Sequence, residues 1–130
     1  MAEHEEARVY GMIGEAGFEK LAQAFYGRVA GDDVLRPMYP AEEAEFMAGR
    51  ERLKEFLVYR FGGPPRYIEA RGHPRLRMRH AAFAVDQAAR DRWVKLMDEA
   101  LAEAALPAEA EAILRGFFAS TATFLINRGK

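Results

Sequence analysis

The most informative stretch of this sequence is GHPRLRMRH, at residues 72–80. It comes shortly after GGPP at residues 62–65, which is the strongest helix breaker in the chain. The pattern over residues 66–72 is irregular and predicts a loop. Because proline suits the first turn of a helix, Pro74 predicts a short helix over about residues 74–82.

His80 differs in its setting from the other two histidines. On the predicted helix it shares a face with Leu76, four residues before it, and Phe83, three residues after it. A neutral imidazole on an apolar face needs a partner, and two interpretations stay open: a core hydrogen bond, or a bond to a metal or haem iron. By contrast, we expect His4 to lie on the solvated surface and His73 to lie in a loop.

Two other kinds of site on this stretch have weaker support. A zinc site shared by His73 and His80 would need a helix that begins before Pro74, and the chain offers no HExxH motif and no third ligand. A run of arginines predicts a solvated face or a clamp for an anion rather than a nucleic-acid patch. These arginines are Arg71, Arg75, Arg77 and Arg79.

Outward from this stretch, helical periodicity dominates and no alternating β-branched run occurs. The N-terminal half is predicted to contain a short charged segment over residues 3–13 that ends at Gly14, a helix from Gly17 to Gly31, a connector over residues 34–40 and a helix over about residues 41–60. The C-terminal half is predicted to contain a helix capped by Asp86 and a last helix from Pro107, which pair antiparallel. The fold class is therefore predicted to be all-α, with a single domain over residues 1–130.

The predicted inner faces of these helices are rich in aromatic residues. The inner face of the helix over about residues 41–60 is predicted to consist of Phe46, Gly49, Leu53, Phe56, Leu57 and Phe61. The inner face of the last helix is predicted to consist of Ile113, Leu114, Phe117, Phe118, Thr121, Phe124 and Leu125. Tyr26, Tyr39 and Trp93 are also predicted to face inward, and each carries a donor that needs a partner when buried. Each alone is consistent with core packing, but together with His80 they indicate a polar centre in an apolar pocket.

Composition excludes several classes of protein. The 130 residues have a formal net charge of −1, which argues against nucleic-acid binding through a general basic surface. There is no cysteine, so disulfides, thiolate catalysis and cysteine-based metal sites are excluded. No apolar run has the length of a membrane span and the first ten residues are too charged for a signal peptide, so a cytoplasmic location is expected.

The sequence closely resembles the group II truncated haemoglobins. The resemblance covers about residues 13–125 and rests on GGP at residues 62–64, on Tyr67, on residues 71–81, and on Asp91-Arg92-Trp93. Phe25-Tyr26 and Met38-Tyr39-Pro40 match the same family upstream. It implies a bacterial-type shortened globin, a two-over-two α-helical sandwich that encloses haem b.

The resemblance also implies roles for the residues around the haem. His80 matches the proximal iron ligand, Tyr26 the distal tyrosine and Trp93 the distal tryptophan, each of the last two donating to the bound ligand. Tyr39 matches a further distal hydroxyl, and Gly49 matches the small residue at the distal position that carries histidine in vertebrate globins.

The remaining positions implied by the resemblance surround the cofactor. Apolar contacts are assigned to Leu53, Phe56, Leu57, Leu76 and Phe83, and contacts to the haem propionates to Arg52, Tyr67 and Arg79. Two residues depart from the family pattern: an early Gly-Gly turn is Ile13-Gly14 here, and Phe61 stands where tryptophan is common.

The function implied by the resemblance is reversible binding of O₂, and of other diatomic molecules, at a five-coordinate ferrous haem. Two distal donors would slow oxygen loss, which favours sensing, scavenging or redox chemistry over rapid delivery. NO dioxygenation or peroxide turnover, with an electron-donating reductase as partner, is compatible with this pocket, as are CO binding and a homodimer. The alternative is a haem-free helical sensor or protein-interaction module on a globin scaffold.

Overall fold

The computed structural model describes residues 2–76 and 85–127, and within these ranges the chain forms α-helices and no strand. The all-α prediction is therefore confirmed. The helices are α1 (Ala2–Ala7), α2 (Val9–Ala30), α3 (Glu43–Arg60), α4 (Arg66–Arg71), α5 (Gln87–Ala104) and α6 (Ala108–Phe124), and a 3-10 turn (Arg36–Met38) lies in the connector between α2 and α3.

Helix α5 has the cap and the buried face that its sequence predicts. The Asp86 Oδ1 atom accepts a hydrogen bond of 2.8 Å from the backbone N–H of Ala89, which satisfies a free donor of the first turn. The buried face includes Leu96, Met97 and Leu101. The Asp86 cap is therefore confirmed.

Helices α5 and α6 pair antiparallel, as predicted. The Trp93 and Phe118 rings lie 5.6 Å apart between their centroids, and the Arg115 Nη1 atom lies 3.0 Å from Asp98 Oδ1. Residue numbers rise along one helix and fall along the other at these contacts, so the two chain directions are opposite.

Helices α2 and α3 form the second antiparallel pair. Tyr26 contacts Phe46 at one end, with centroids 5.1 Å apart, and Phe18 contacts Phe61 at the other end, with centroids 6.1 Å apart. The α2–α3 pair packs against the α5–α6 pair, for example where Phe25 on α2 contacts Trp93 on α5. The result is a two-over-two helical sandwich.

The N-terminal part of α2 bends where the sequence predicts a break. Gly14 has φ +66° and ψ −179° inside an otherwise helical run. The loop after α3 packs against the α1–α2 junction, where Gly62 has φ +100° and a Cβ atom there would lie 2.1 Å from the Ala7 carbonyl oxygen. Only glycine fits that approach, so Gly62 fixes the end of α3 against the first two helices.

The loop predicted over residues 66–72 is wrong, because residues 66–71 form α4. Tyr67 is buried in that helix and its ring lies 5.5 Å from the Phe56 ring on α3. Gly72, with φ +76°, ends the helix. A six-residue helix has no periodicity that a sequence pattern can show, and this one is held by tertiary contact.

The predicted burial of Phe124 is also wrong, because 56% of the residue is exposed. The buried face of α6 is formed by residues four apart, including Leu114, Phe118 and Ala122. Phe124 is two residues beyond Ala122 and so lies about 200° around the helix from it. It therefore points away from α5.

Lys54 is buried although the sequence gives no sign of it, with 8% of the residue exposed. Its Nζ atom lies 2.8 Å from Glu51, 3.2 Å from Glu15, 3.4 Å from Glu19 and 3.6 Å from Glu55. The hydrogen bond to the Glu51 carboxylate is the largest effect that raises the pKa of Lys54, so the ammonium stays charged. One cation thus connects α2 to α3.

Most of the helix predicted over residues 74–82 lies outside the described residues. Within the described part of the chain, no helix combines the length and the apolar character that crossing a bilayer requires.

Candidate functional site

A cavity of about 550 Å³ lies between the two helical layers. Its wall is formed mainly by apolar and aromatic side chains, and α2 to α6 all contribute to it. Every candidate site residue that lies in the described part of the chain lines this one cavity: Tyr26, Tyr39, Gly49, Arg52, Leu53, Phe56, Leu57, Tyr67, Leu76 and Trp93.

One end of the cavity is an aromatic cluster. The Tyr26 ring centroid lies 5.7 Å from that of Tyr39 and 5.1 Å from that of Phe46. On the other side, Phe25 lies 5.0 Å from Trp93, again between ring centroids. The helix period brings Tyr26 from α2 and Trp93 from α5 to the same cavity, and the connector before α3 supplies Tyr39.

Gly49 leaves the space that the Tyr26 hydroxyl occupies. A Cβ atom at Gly49 would lie 2.8 Å from the Tyr26 hydroxyl oxygen and 3.5 Å from Cζ of the same ring. The glycine on α3 therefore lets the phenol extend over α3 toward the cavity.

Both tyrosine hydroxyls stay protonated near neutral pH. Burial raises the pKa of Tyr26 to about 12, against a smaller opposing effect of Arg52. Burial also raises the pKa of Tyr39, and the neighbouring Tyr26 raises it further. Each phenol is therefore an O–H donor in this cavity.

Trp93 interacts with the Tyr39 hydroxyl. The Trp93 side chain lowers the pKa of Tyr39 and so partly offsets the larger effect of burial. The indole N–H is the only donor of a tryptophan side chain, so it is the one group of Trp93 that can donate to the Tyr39 oxygen. Tyr26, Tyr39 and Trp93 thus all belong to the wall of this cavity.

Cationic side chains line the rim of the cavity. Arg52 and Arg71 are exposed, and the Arg71 guanidinium lies 5.9 Å from the centre of the Tyr67 ring. Arg90 also lines the cavity, but its side chain is hydrogen-bonded to α6. Its Nε atom donates to Thr123 Oγ1 at 3.0 Å, and its Nη2 atom donates to a backbone carbonyl of the same helix. The cavity thus suits a largely apolar group with an anionic edge.

Three candidate residues lie outside the described residues. These are His80, Arg79 and Phe83, so the roles that the resemblance implies for them stay predictions. Within residues 2–76 and 85–127, no cluster of three or more side chains of the kinds that bind metals occurs.

Sequence reasoning missed several residues of the cavity wall. Phe25 was named only in the family match, and Phe46, Phe117, Phe118 and Thr121 only as inner-face residues of their helices, yet all five line the cavity. Helical periodicity shows which residues face inward, but not whether the inner face meets another side chain or an open space.

Three comparisons relate this chain to known proteins. The profile of the family described as Bacterial-like globin matches residues 8–127. The chain is 35% identical over 119 residues to the group 2 truncated hemoglobin YjbI of Bacillus subtilis (strain 168), covering 92% of this chain and 88% of that protein.

Solved structures agree with this result. A thermostable hemoglobin from the actinobacterium Thermobifida fusca superimposes with a TM-score of 0.88 at 43% identity, covering 94% of this chain and 98% of that one. A truncated oxygen-avid haemoglobin from Bacillus subtilis superimposes with a TM-score of 0.86 at 34% identity, covering 92% of this chain and 98% of that one.

Proposed function

Because this chain belongs to the Bacterial-like globin family, as a group II truncated haemoglobin whose cofactor is haem, we propose that it binds O₂ reversibly in the cavity between its helical layers. The observation that carries the proposal is the convergence of Tyr26, Tyr39 and Trp93 on this apolar cavity. The relative from Bacillus subtilis that is described as oxygen-avid supports it further.

The described residues fit haem b. The cavity wall is apolar, as a porphyrin requires, and the absence of cysteine excludes the thioether attachment of a c-type haem. Arg52, Tyr67 and Leu76 are predicted to contact the porphyrin or its propionates, and all three line the cavity. His80 is predicted to supply the axial nitrogen and Arg79 a propionate partner.

When bound, ferrous haem supplies a metal that binds O₂ and other diatomic molecules reversibly. The protein's contribution is the environment of the ligand. O₂ gains partial negative charge in such a site, so donors aimed at it stabilise binding, each by about 1 kcal/mol net and more in a dry pocket.

The donors in this pocket are preorganised by packing. Tyr26 is 8% exposed and Phe46 is 3% exposed, so the phenol is held in place with little access to bulk water. Its high pKa keeps the proton on the hydroxyl oxygen, so Tyr26 has an O–H group that can donate to the ligand. Trp93 and Tyr39 are proposed to supply the second and third groups that bind the ligand.

Slow release follows from this arrangement. Two or more donors acting on one ligand are expected to lower its dissociation rate by tens of fold relative to an apolar pocket. The protein is therefore better suited to sensing, scavenging or redox chemistry than to rapid oxygen delivery.

The first experiment measures the cofactor. The purified protein, supplied with haemin, should show a Soret band, and His80→Gly should change the ferrous spectrum in a way that added imidazole reverses. His73→Ala is the control and should leave the spectrum nearly unchanged. A protein that takes up no haemin would contradict the proposal and favour the haem-free alternative.

The second experiment measures the donors. Trp93→Phe retains most of the apolar area but removes the indole N–H, so O₂ dissociation should speed up about 5- to 30-fold. CO carries less charge, and its dissociation from the same variant should change less. An O₂ dissociation rate within about twofold of the parent's would return Trp93 to a packing role and leave Tyr26 as the main donor.

A further inference from the structure

Asp32 is a buried carboxylate that lies outside the cavity and is not used by the proposed binding site. It is 8% exposed and lies directly after α2, where the connector to α3 begins. Its Oδ2 atom accepts hydrogen bonds from the backbone N–H groups of Leu35, at 2.9 Å, and Val34, at 3.2 Å. These bonds fix the turn that leads toward Tyr39.

The other oxygen of the same carboxylate binds a different helix. Asp32 Oδ1 accepts from Arg92 Nε at 2.8 Å and lies 2.6 Å from Arg92 Nη2. Two donors of one planar guanidinium on one carboxylate restrict direction as well as distance. Arg92 on α5 is therefore held in both position and rotation.

These two attachments involve the segments that carry two of the cavity donors. Arg92 immediately precedes Trp93, and consecutive helical residues point about 100° apart. Holding Arg92 toward Asp32 therefore fixes the rotation at which Trp93 faces the cavity. The connector runs from the Asp32 turn to Tyr39, and Tyr39 and Trp93 line the same cavity.

A second arginine, Arg36, binds the end of the connector that lies near Pro40. The backbone N–H of Arg36 donates to the Asp32 carbonyl oxygen at 2.9 Å, and its side-chain Nη1 atom donates to the Pro40 carbonyl oxygen at 2.7 Å. The guanidinium lies 4.0 Å from the centre of the Phe46 ring, which contacts Tyr39. The connector that carries Tyr39 is thus held at both ends, and at the Asp32 end it is bound to α5 through Arg92.

The charge on Asp32 persists at physiological pH. Hydrogen bonding to Arg92 lowers the pKa of the Asp32 carboxyl, and the Leu35 and Val34 N–H groups lower it further against the effect of burial. Asp33 also faces Arg92, at 3.9 Å, but its side chain is 94% exposed and its attraction is screened by solvent.

We propose that Asp32 is a positioning residue for the oxygen-binding pocket: through Arg92 on one side and the connector on the other, it sets the register between the Trp93 indole and the Tyr39 hydroxyl. This inference rests on the proposed function, since it names a residue that tunes that site. Asp32 acts without touching the ligand.

The test is Asp32→Asn, with Asp33→Asn as the matched control. Both variants remove one negative charge beside Arg92, and the asparagine at position 32 keeps an oxygen that can accept from Leu35 and Val34. The chain has one tryptophan, so its indole N–H gives one resonance, which is read in the diamagnetic CO complex of the ferrous protein. Asp32→Asn should shift that resonance upfield and speed O₂ dissociation about three- to tenfold, because misplaced donors bind the ligand less well.

The outcomes separate positioning from simple stability. A lower melting temperature with an unshifted indole resonance and a parental O₂ dissociation rate overturns the proposal, and so does an equal effect of Asp33→Asn. If Asp32→Asn does not fold, Arg92→Lys keeps the positive charge but loses the two-donor contact, and it should shift the resonance in the same direction. A parental resonance in that variant overturns the proposal.

Failure of the proposed function has a different signature. The indole resonance can be read in the same protein whether or not haem is present. A parent protein without a Soret band contradicts oxygen binding, whereas an unshifted resonance in the Asp32 variant contradicts positioning alone.

Discussion

Gly49 shows how one missing side chain shapes the pocket. The Tyr26 hydroxyl lies where a Cβ atom at this position would make a contact of 2.8 Å. A glycine inside a helix costs about 0.5–1 kcal/mol relative to alanine, so α3 gives up some helix stability to accommodate the phenol.

Gly49→Ala should therefore separate helix stability from ligand binding. The added methyl group displaces the Tyr26 hydroxyl, so we expect faster O₂ dissociation, by about three- to tenfold, together with less than the usual gain in stability. The control is Gly116→Ala on α6, where a Cβ atom meets nothing within 4 Å. That variant should gain about 0.5–1 kcal/mol in urea unfolding and keep the parental O₂ dissociation rate. Identical behaviour of the two variants would contradict the role of Gly49.

The pKa of Tyr26 predicts how stability depends on alkaline pH. In the unfolded chain the phenol ionises near its ordinary pKa of 10.0, and in the folded protein near 12. Between these values the folded state binds more protons, so the free energy of unfolding falls as pH rises, by at most about 1.4 kcal/mol per pH unit. Tyr26→Phe should lose this part of the pH dependence. Equal slopes for parent and variant in urea unfolding between those two pH values would contradict it.

Single residues also show what the sequence can and cannot predict. The Asp86 cap was predictable because a short polar residue before a helical period has one local use. The inward direction of Tyr26 and Trp93 was predictable from helix spacing. The burial of Lys54 was not, because its four carboxylate partners come from two helices whose contact the sequence does not show.

At the scale of elements, the helices differ in what holds them. Long helices such as α5 follow from their own periodicity, whereas α4 depends on Tyr67 packing against Phe56. The sequence pattern over residues 66–72 is irregular and therefore predicts a loop. The same Tyr67 lines the cavity, so the element that was hardest to predict is part of the site.

The Lys54 cluster predicts a large effect of one charge on the α2–α3 pair. Lys54→Ala leaves four carboxylates close together without their shared cation, so we expect a loss of about 1–3 kcal/mol that grows at low salt. Lys95→Ala is the control, because Lys95 is 59% exposed and pairs with Glu99 across one helical turn. That variant should lose less than about 0.5 kcal/mol. Urea unfolding at two salt concentrations checks both values, and equal losses would contradict a shared role for Lys54.

At the scale of the whole molecule, the cavity and the core are one region. The two-over-two arrangement was predictable only through the family resemblance, because helix periods do not specify which helices cross. The structure shows that α2 to α6 all contribute to the cavity wall. A group that fills the cavity therefore contacts both layers and α4 at once.

Removal of haem should destabilise the entire sandwich rather than one element. Free haem at a concentration of about 100 times its dissociation constant raises the free energy of unfolding by about 2.7 kcal/mol. For a chain of this length, that corresponds to a rise in melting temperature of roughly 10 °C. Circular dichroism of the haem-free and haem-loaded protein measures the difference. Equal melting temperatures would contradict binding in the interior cavity.

The position of Trp93 has a practical consequence. It is the only tryptophan in the chain, and its ring lies on the cavity wall against Phe25 and Phe118. A porphyrin that enters the cavity is therefore expected to quench the Trp93 fluorescence by energy transfer. The haem-loaded protein should fluoresce weakly in the near ultraviolet and the haem-free protein strongly. Trp93 is thus an intrinsic fluorescence probe of haem occupancy, which needs no label and follows haem entry and loss in real time.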